Sequence, residues 1–250
     1  MKLKDKVAIV AGGGRDIGKA VSIRLAAEGA KVLVVYANDE AAARATVNEI
    51  VERGGRAVLH RADLTQAADA ERMCAAAREA FGARIDVLVN LAGGLVARKT
   101  LAEMDEAFFD CVLALNLKTT FLATKAVLPC LGAGASIINF SSQAARDGGG
   151  AGASAYATAK GAVMSFTRAL AKELGPKGIR VNALCCGMIA TSFHDTFTKP
   201  EVRTAVAGMT PLRREGRSEE VADVVAFLAS EEAAFVNGTC LDVNGGLVFS

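Results

Sequence analysis

Short apolar runs alternate along the chain with longer segments whose apolar residues recur at helical spacing. The run KVAIVA (6–11) ends in glycine, and within 16–28 the apolar residues Ile17, Val21 and Leu25 fall at helical intervals. KVLVVY (31–36) has strand character, and AAARATVNEIVERGG reads as a helix closed by Gly54 and Gly55. RAVLH is a third strand and 66–81 a third helix. IDVLVN (85–90) and SIINFS (136–141) are further strands, on either side of a long helical region around 105–128. A helix over 155–174, a strand IRVNAL (179–184), a helix over 218–229 and a strand TCLDV (239–243) complete the pattern.

Strands that are apolar throughout, joined by helices, predict a parallel sheet covered on both faces. Right-handed crossovers then give an α/β, doubly wound, Rossmann-type sheet of about seven strands. The glycine-rich stretch GGGAGASA (148–155) is too short for a linker and the alternation resumes after it, so 1–250 reads as one domain. Ligands of such a sheet bind beyond the carboxyl ends of its strands. That directs attention to 12–18, 36–39, 63, 90–94, 141–142 and 185–191.

Composition narrows the classes. The chain is 52% hydrophobic but only 5% aromatic, which implies a core of Ala, Val, Leu and Ile. With 29 basic and 27 acidic residues the net charge is +2, no basis for binding nucleic acid or an anionic membrane. No apolar run approaches the ~20 residues of a membrane helix, and the N-terminus has no signal-type cleavage region. The six cysteines form no CxxC and the two histidines, His60 and His194, are far apart, so neither a disulfide framework nor a metal site is expected. Free thiols in a reducing cytoplasm fit this usage.

Two stretches carry chemistry. In AGGGRDIG (11–18), Gly12 and Gly18 bracket a strand-to-helix turn that lets backbone approach an anion at a helix N-terminus. The spacing fails a strict GxGxxG, since position 17 is Ile, and a plain turn stays open on this loop alone. A carboxylate at position 16 is favoured in the first helical turn, where Asp16 would satisfy free N–H groups. Arg15 would then point the other way, toward a 2′-phosphate. The second strand ends in Tyr36 rather than an acid, which favours NADP, although Asp39 close by keeps NAD in view. In YATAK, Tyr156 and Lys160 lie four apart on one helix face. There a nearby ammonium would lower the phenol pKa and fit it for proton transfer to or from an alcohol or carbonyl oxygen. An ordinary amphipathic surface also explains that spacing. Ser142 closes a strand at the same edge, and Asn116, set among apolar residues in LALNLK, should bend or interrupt its helix.

Taken together, AGGGRDIG, ADL (62–64), NLAG (90–93), ALNL (114–117), NFSS (139–142), YATAK, IRVN (179–182), Cys186-Gly187 with Thr191, and PLRREG (211–216) occur in order and between the right strands. Over essentially its whole length the chain resembles the short-chain dehydrogenase/reductase family. The resemblance implies a catalytic tetrad of Asn116, Ser142, Tyr156 and Lys160. Tyr156 is the implied proton donor and Ser142 orients the substrate oxygen. Lys160 holds the nicotinamide ribose and Asn116 anchors a relay water. It further implies cofactor contacts at Gly12, Gly14, Arg15, Asp16, Ile17 and Gly18, at Tyr36, and at Asp63 and Leu64 beside the adenine. Asn90, Ala92 and Gly93 would lie on the adenosine side, with Gly187, Thr191, Tyr156 and Lys160 toward the nicotinamide. The implied partners are a small carbonyl or alcohol substrate and three further copies of the chain in a homotetramer.

Several positions depart from the family pattern. Asp16 replaces a glycine, Leu91 an amide, and Cys186 a proline, and the Ser142–Tyr156 interval is one residue longer than commonest. Cys186 near the nicotinamide suggests sensitivity to thiol reagents. The closest-looking branch is the 3-oxoacyl-acyl-carrier-protein reductases. Yet LPCLGAGAS (128–136) lacks the basic residues that branch uses on its carrier, leaving only Lys177 for that role. Small ketones, sugars (with NAD) and CoA thioesters therefore stay open as substrates, as does a non-catalytic nucleotide sensor. The segment 188–215 names no ligand, and its His194 reads as a surface residue.

Overall fold

In a computed structural model that describes residues 1–249, the chain forms one seven-stranded sheet with strand order β3-β2-β1-β4-β5-β6-β7. The elements, in chain order, are β1 (Val7–Ala11), α1 (Asp16–Ala27), β2 (Lys31–Tyr36), α2 (Glu40–Glu52), β3 (Arg56–Arg61), α3 (Ala67–Phe81) and β4 (Ile85–Asn90). Then come α4 (Glu106–Leu113), a π-helical turn at Ala114–Lys118, α5 (Thr119–Val127), β5 (Leu131–Phe140), α6 (Ala144–Asp147) and α7 (Ser154–Leu174). β6 (Arg180–Cys186), α8 (Ser192–Phe197), α9 (Pro200–Met209), α10 (Ser218–Ala229) and β7 (Cys240–Val243) follow.

Every strand pair is parallel. β1 and β4 are buried at every residue, as expected of strands covered on both faces. One face carries α1, α2 and α10 over Val10, Val34, Val87 and Ile138. The other carries α3, α5 and α7 over Ile9, Leu33, Leu88 and Ile137. The chain first builds outward from β1 to β3 and then crosses to β4. The strand order therefore reverses between β1 and β4, and the carboxyl ends part there.

The structure alters the sequence expectations in three places. β5 starts at Leu131 rather than 136, and its pairing with β4 shifts register between Ile85 and Val87. That glycine-rich stretch pairs through its backbone, so no apolar alternation marks it. The continuous helical stretch Glu106–Cys130, with a window of mean hydropathy 1.4, is by length and composition long enough to cross a bilayer. The expectation that nothing approached that length is corrected. In this fold the stretch packs on α3, β4, β5 and α7, and its hydropathy reflects those contacts. The segment 188–215, to which the sequence assigns no element, supplies α8 and α9.

Glycine is mandatory at position 18, where an added Cβ would land on the Gly12 carbonyl oxygen. Gly161, inside α7, has nothing within 4 Å of an added Cβ. Gly18→Ala should therefore lower the unfolding free energy by about 3 kcal/mol or more, since rigid backbone must move. Gly161→Ala should raise it by about 0.5–1 kcal/mol. Urea titration of both variants measures the contrast, and equal effects would contradict this packing.

Candidate active site

A cleft of about 1120 Å³ opens at the carboxyl edge of the sheet, over the β1/β4 reversal. It is large enough for a dinucleotide and a substrate together. Its floor is the turn after β1. Gly12 sits at φ +88°, and a Cβ there would come 3.0 Å from the Ala92 nitrogen. Gly12, Gly14, Arg15, Asp16 and Ile17 line the cleft, while Gly18 closes the turn from behind. α1 begins at Asp16 with no side chain capping its free N–H groups. Those donors, with the positive end of the helix dipole, fit a phosphate.

Asp16 stands in the first turn of α1, as expected, but its carboxylate does not satisfy the free N–H groups there. The residue takes a left-handed conformation (φ +50°), which Asp tolerates better than most residues. Its carboxylate is thereby aimed across the cleft. It accepts hydrogen bonds from the Ser192 N–H at 3.1 Å and the Ser192 hydroxyl at 2.6 Å. Arg15 does not point the opposite way either, because its Nη1 donates to Ser192 Oγ at 2.9 Å. Both corrections follow from α8, an element that left no clear signal in the sequence.

Along the rim, Tyr36 lines the cleft. Asp39 lines it too, and its Oδ1 accepts the Ala42 N–H at 2.9 Å and so caps α2. Asp63 accepts the Thr65 N–H at 3.0 Å and hydroxyl at 2.7 Å, turning the chain so that Asp63 and Leu64 face the cavity. Ala92, Gly93, Gly187 and Thr191 line it as well. Asn90 does not. Its amide nitrogen donates to Thr124 Oγ1 at 3.0 Å and Asn139 Oδ1 at 2.9 Å, and Asn139 in turn donates to Thr167 Oγ1 at 2.9 Å. As the last residue of β4 it points into a helix-covered face, so its side chain serves the sheet.

At the far end Ser142, Tyr156 and Lys160 meet in the cleft. Ser142 follows β5, its hydroxyl accepts the Ala144 N–H at 3.2 Å, and it lies close enough to Tyr156 to act on the phenol. Burial pushes the Tyr156 phenol up to about 12, and the pull in the opposite direction comes from Ser142. The sequence reading assigned that pull to Lys160. In the structure the Lys160 ammonium lies 5.7 Å from the Tyr156 ring centroid and donates to the Phe140 carbonyl at 2.8 Å. Burial pulls Lys160 down to about 8. The phenol therefore stays protonated at neutral pH, the form of a proton donor.

Asn116 is fully buried and centres the π turn, matching the interruption expected of it. Its amide donates to the Val112 carbonyl one turn back at 2.9 Å, which competes with the helical bond to that oxygen and widens the turn. The same amide donates to Gly94 O at 2.8 Å and accepts from Gly94 N at 3.0 Å. A Cβ on Gly93 would come 2.6 Å from Asn116 Oδ1 and 3.1 Å from Lys160 Nζ, so only glycine fits between them.

Cys186 lies beside this group, and its packed surroundings push the thiol up to about 12. The nearby Lys160 ammonium pulls the other way, and the net upward shift makes this thiol a weaker nucleophile than a free cysteine. His194 is a half-buried wall of the cleft rather than a surface residue, with Nδ1 2.9 Å from Thr198 Oγ1. Phe193, Phe197, Val202, Val206 and Met209, also unassigned by sequence, bring the apolar faces of α8 and α9 to the same wall. Arg98, likewise unassigned, lines the cleft and ties its rim to α8 through the Phe197 carbonyl at 3.0 Å. Among the described residues no cluster of His, Cys, Asp or Glu is arranged to hold a metal.

Comparison with known proteins agrees with this geometry. The family model described as Enoyl-(Acyl carrier protein) reductase matches residues 12–248. The chain is 40% identical to a (3R)-3-hydroxyacyl-CoA dehydrogenase of Mus musculus, over 99% of this chain and 98% of that one. It is 39% identical to a 3-oxoacyl-[acyl-carrier-protein] reductase of Synechocystis, over 98% of both. A short chain dehydrogenase from Burkholderia cenocepacia, solved in complex with NADP, superposes with a TM-score of 0.92 at 33% identity, covering 99% of each chain. The chain belongs to the short-chain dehydrogenase/reductase family and is an oxidoreductase of carbonyl or alcohol groups.

The depressed Lys160 has a signature in stability. Between about pH 8 and pH 10.4 the unfolded chain holds a lysine proton that the folded chain has released, so Lys160 makes stability rise with pH across that window. Tyr156 acts oppositely, its contribution being lost as pH climbs from 10 toward about 12. Denaturation of the cofactor-free protein at pH 7.5 and 9.5 should show a rise that Lys160→Met flattens. An equal rise in both proteins would contradict the burial of this ammonium.

Proposed function

We propose that the protein is an NADP-dependent reductase of 3-oxoacyl thioesters, with CoA-type thioesters rather than carrier-bound ones as its substrates. The observation that carries this reading is the convergence of Ser142, Tyr156 and Lys160 in one cleft beside an apolar wall of Phe193, Phe197, Val202, Val206 and Met209. Tyr156 gives its proton to the substrate carbonyl oxygen, and Ser142 orients that oxygen by a hydrogen bond. Lys160 has three N–H protons and spends one on Phe140, leaving two for ribose hydroxyls. Asn116 acts on the backbone, fixing Gly93 and Gly94 beside Lys160. When bound, the nicotinamide supplies the hydride.

The preference for NADP rests on the rim. Asp39, the carboxylate that could hold an adenosine ribose and repel a 2′-phosphate, has one oxygen engaged by the Ala42 N–H at the start of α2. Arg15 gives one N–H to Ser192 and has Nε 3.9 Å from Asp16, which leaves Nη2 for that phosphate. The NADP complex of the Burkholderia protein, and the acyl substrates in the names of the mouse and Synechocystis relatives, support the same reading. The stretch 128–136, without Lys or Arg, favours a CoA thioester over a carrier protein.

Exposed apolar side chains on α4 and α5 (Phe109, Phe121) and on α10 and β7 (Phe227, Leu241) support a homotetramer. Light scattering should give four times the chain mass, and a monomeric mass would refute it.

Loss of NADPH absorbance with acetoacetyl-CoA, against a panel of sugars and small ketones, tests the activity. The thioester should be preferred by at least about tenfold in kcat/KM. Tyr156→Phe should lose about 100-fold or more in kcat while still binding NADPH in a fluorescence titration. Arg15→Ala should weaken NADPH far more than NADH. Turnover of sugars in preference to the thioester would overturn the substrate class, and equal weakening of both dinucleotides would overturn the role of Arg15.

A further inference from the structure

The turn after β1 and the segment after β6 form opposite walls of the cleft, 176 residues apart in sequence, and they are bonded to each other. Asp16 accepts both the N–H and the hydroxyl of Ser192, and the same Ser192 oxygen accepts from Arg15. Ser192 Oγ thus links both charged residues of the loop to the start of α8. Charge-assisted bonds of this type are about twice as strong as neutral ones. They also depend on a backbone conformation that a glycine would adopt more readily, so Asp16 is present despite a conformational cost.

We infer that Asp16 and Ser192 form a latch across the cofactor cleft that slows the exchange of NADP(H). This rests on the dinucleotide reading above. The four bridging and flanking residues, Arg15, Asp16, Thr191 and Ser192, all face the cavity that a dinucleotide must enter. With the bridge made, α8 is held against the phosphate loop and a bound cofactor leaves only when the bridge opens. Asp16 is therefore a positioning residue, acting through Ser192. Arg15 has a second role in the same place, because a 2′-phosphate draws on the same guanidinium that reaches Ser192.

The test has two independent readouts. In the cofactor-free protein, hydrogen–deuterium exchange of the α8 amides should speed up in Asp16→Gly and Ser192→Ala, with Ser192→Thr keeping wild-type protection because it retains the hydroxyl. In stopped-flow fluorescence, NADPH dissociation should be about tenfold faster in Asp16→Gly and in Ser192→Ala. The double variant should be no faster than either single one, and Ser192→Thr should stay near wild type. Unchanged α8 exchange, unchanged or slower NADPH release, or additive effects in the double variant would each overturn the latch. If the wild type binds NADH but not NADPH while α8 exchange responds as stated, the NADP reading fails instead and the bridge stands.

Discussion

The turn between β1 and α1 is the tightest constraint in the molecule, and the cleft exists because of it. Gly12 and Gly13 donate to the Val35 carbonyl of β2, while Leu91 and Ala92 donate to the Ala11 carbonyl of β1. Three strand ends are thus tied together where the sheet reverses direction. The backbones then lie so close that a side chain at Gly12 or Gly18 has no space. Everything chemically active is built outward from this knot. α1 starts with bare N–H groups because the turn delivers it there, and Gly93 reaches Asn116 and Lys160 because β4 leaves the knot beside β1.

Much of this was legible in sequence, for physical reasons. β2 and β4 fall on their expected boundaries because each centres on a short apolar run, VLVV or VLV, with polar residues about it, and α10 has an acidic first turn that marks its start. Asn116 was legible as a helix disturbance, since an amide among apolar residues must find a partner and the nearest was its own backbone. What escaped notice depends on direction. Asn90 follows the strand alternation into a helix-packed face, although its position at a strand end suggested the cleft. Asp16 at a helix start suggests a cap, and only the left-handed backbone and the distant Ser192 redirect it. The balance of the Tyr156–Lys160 pair also escaped. Spacing places the two groups together but does not reveal that the ammonium donates to Phe140.

The wall formed by α8 and α9 was the least legible part. Its helices are short, and their apolar residues, Phe193, Phe197, Val202 and Val206, face a cavity rather than a sheet. Such residues lack the continuous stripe that marks a core helix. Polar anchors hold the wall instead: Arg203 pairs with Glu215 and with Asp195, and Arg98 bonds the Phe197 carbonyl. A wall fastened by side-chain polar bonds can change its apolar lining without disturbing the sheet.

The bonded pair Asn90 and Asn139 also governs alignment. β4 and β5 are apolar on both faces toward this end, so hydrophobic pattern alone would tolerate sliding by one residue. Asn90 pairs with Asn139 in register, and Thr124 and Thr167 engage the two amides from the helices above. Asn90 Oδ1 is buried without a partner even so, and a slip of one residue would also break the bonds of both amide nitrogens, which is costly in an apolar interior. The amides therefore act as a key for strand registration. Gly93 and Ser142 leave the sheet three residues beyond the keyed pair on each strand, and the height of the serine relative to the lysine is inherited from it.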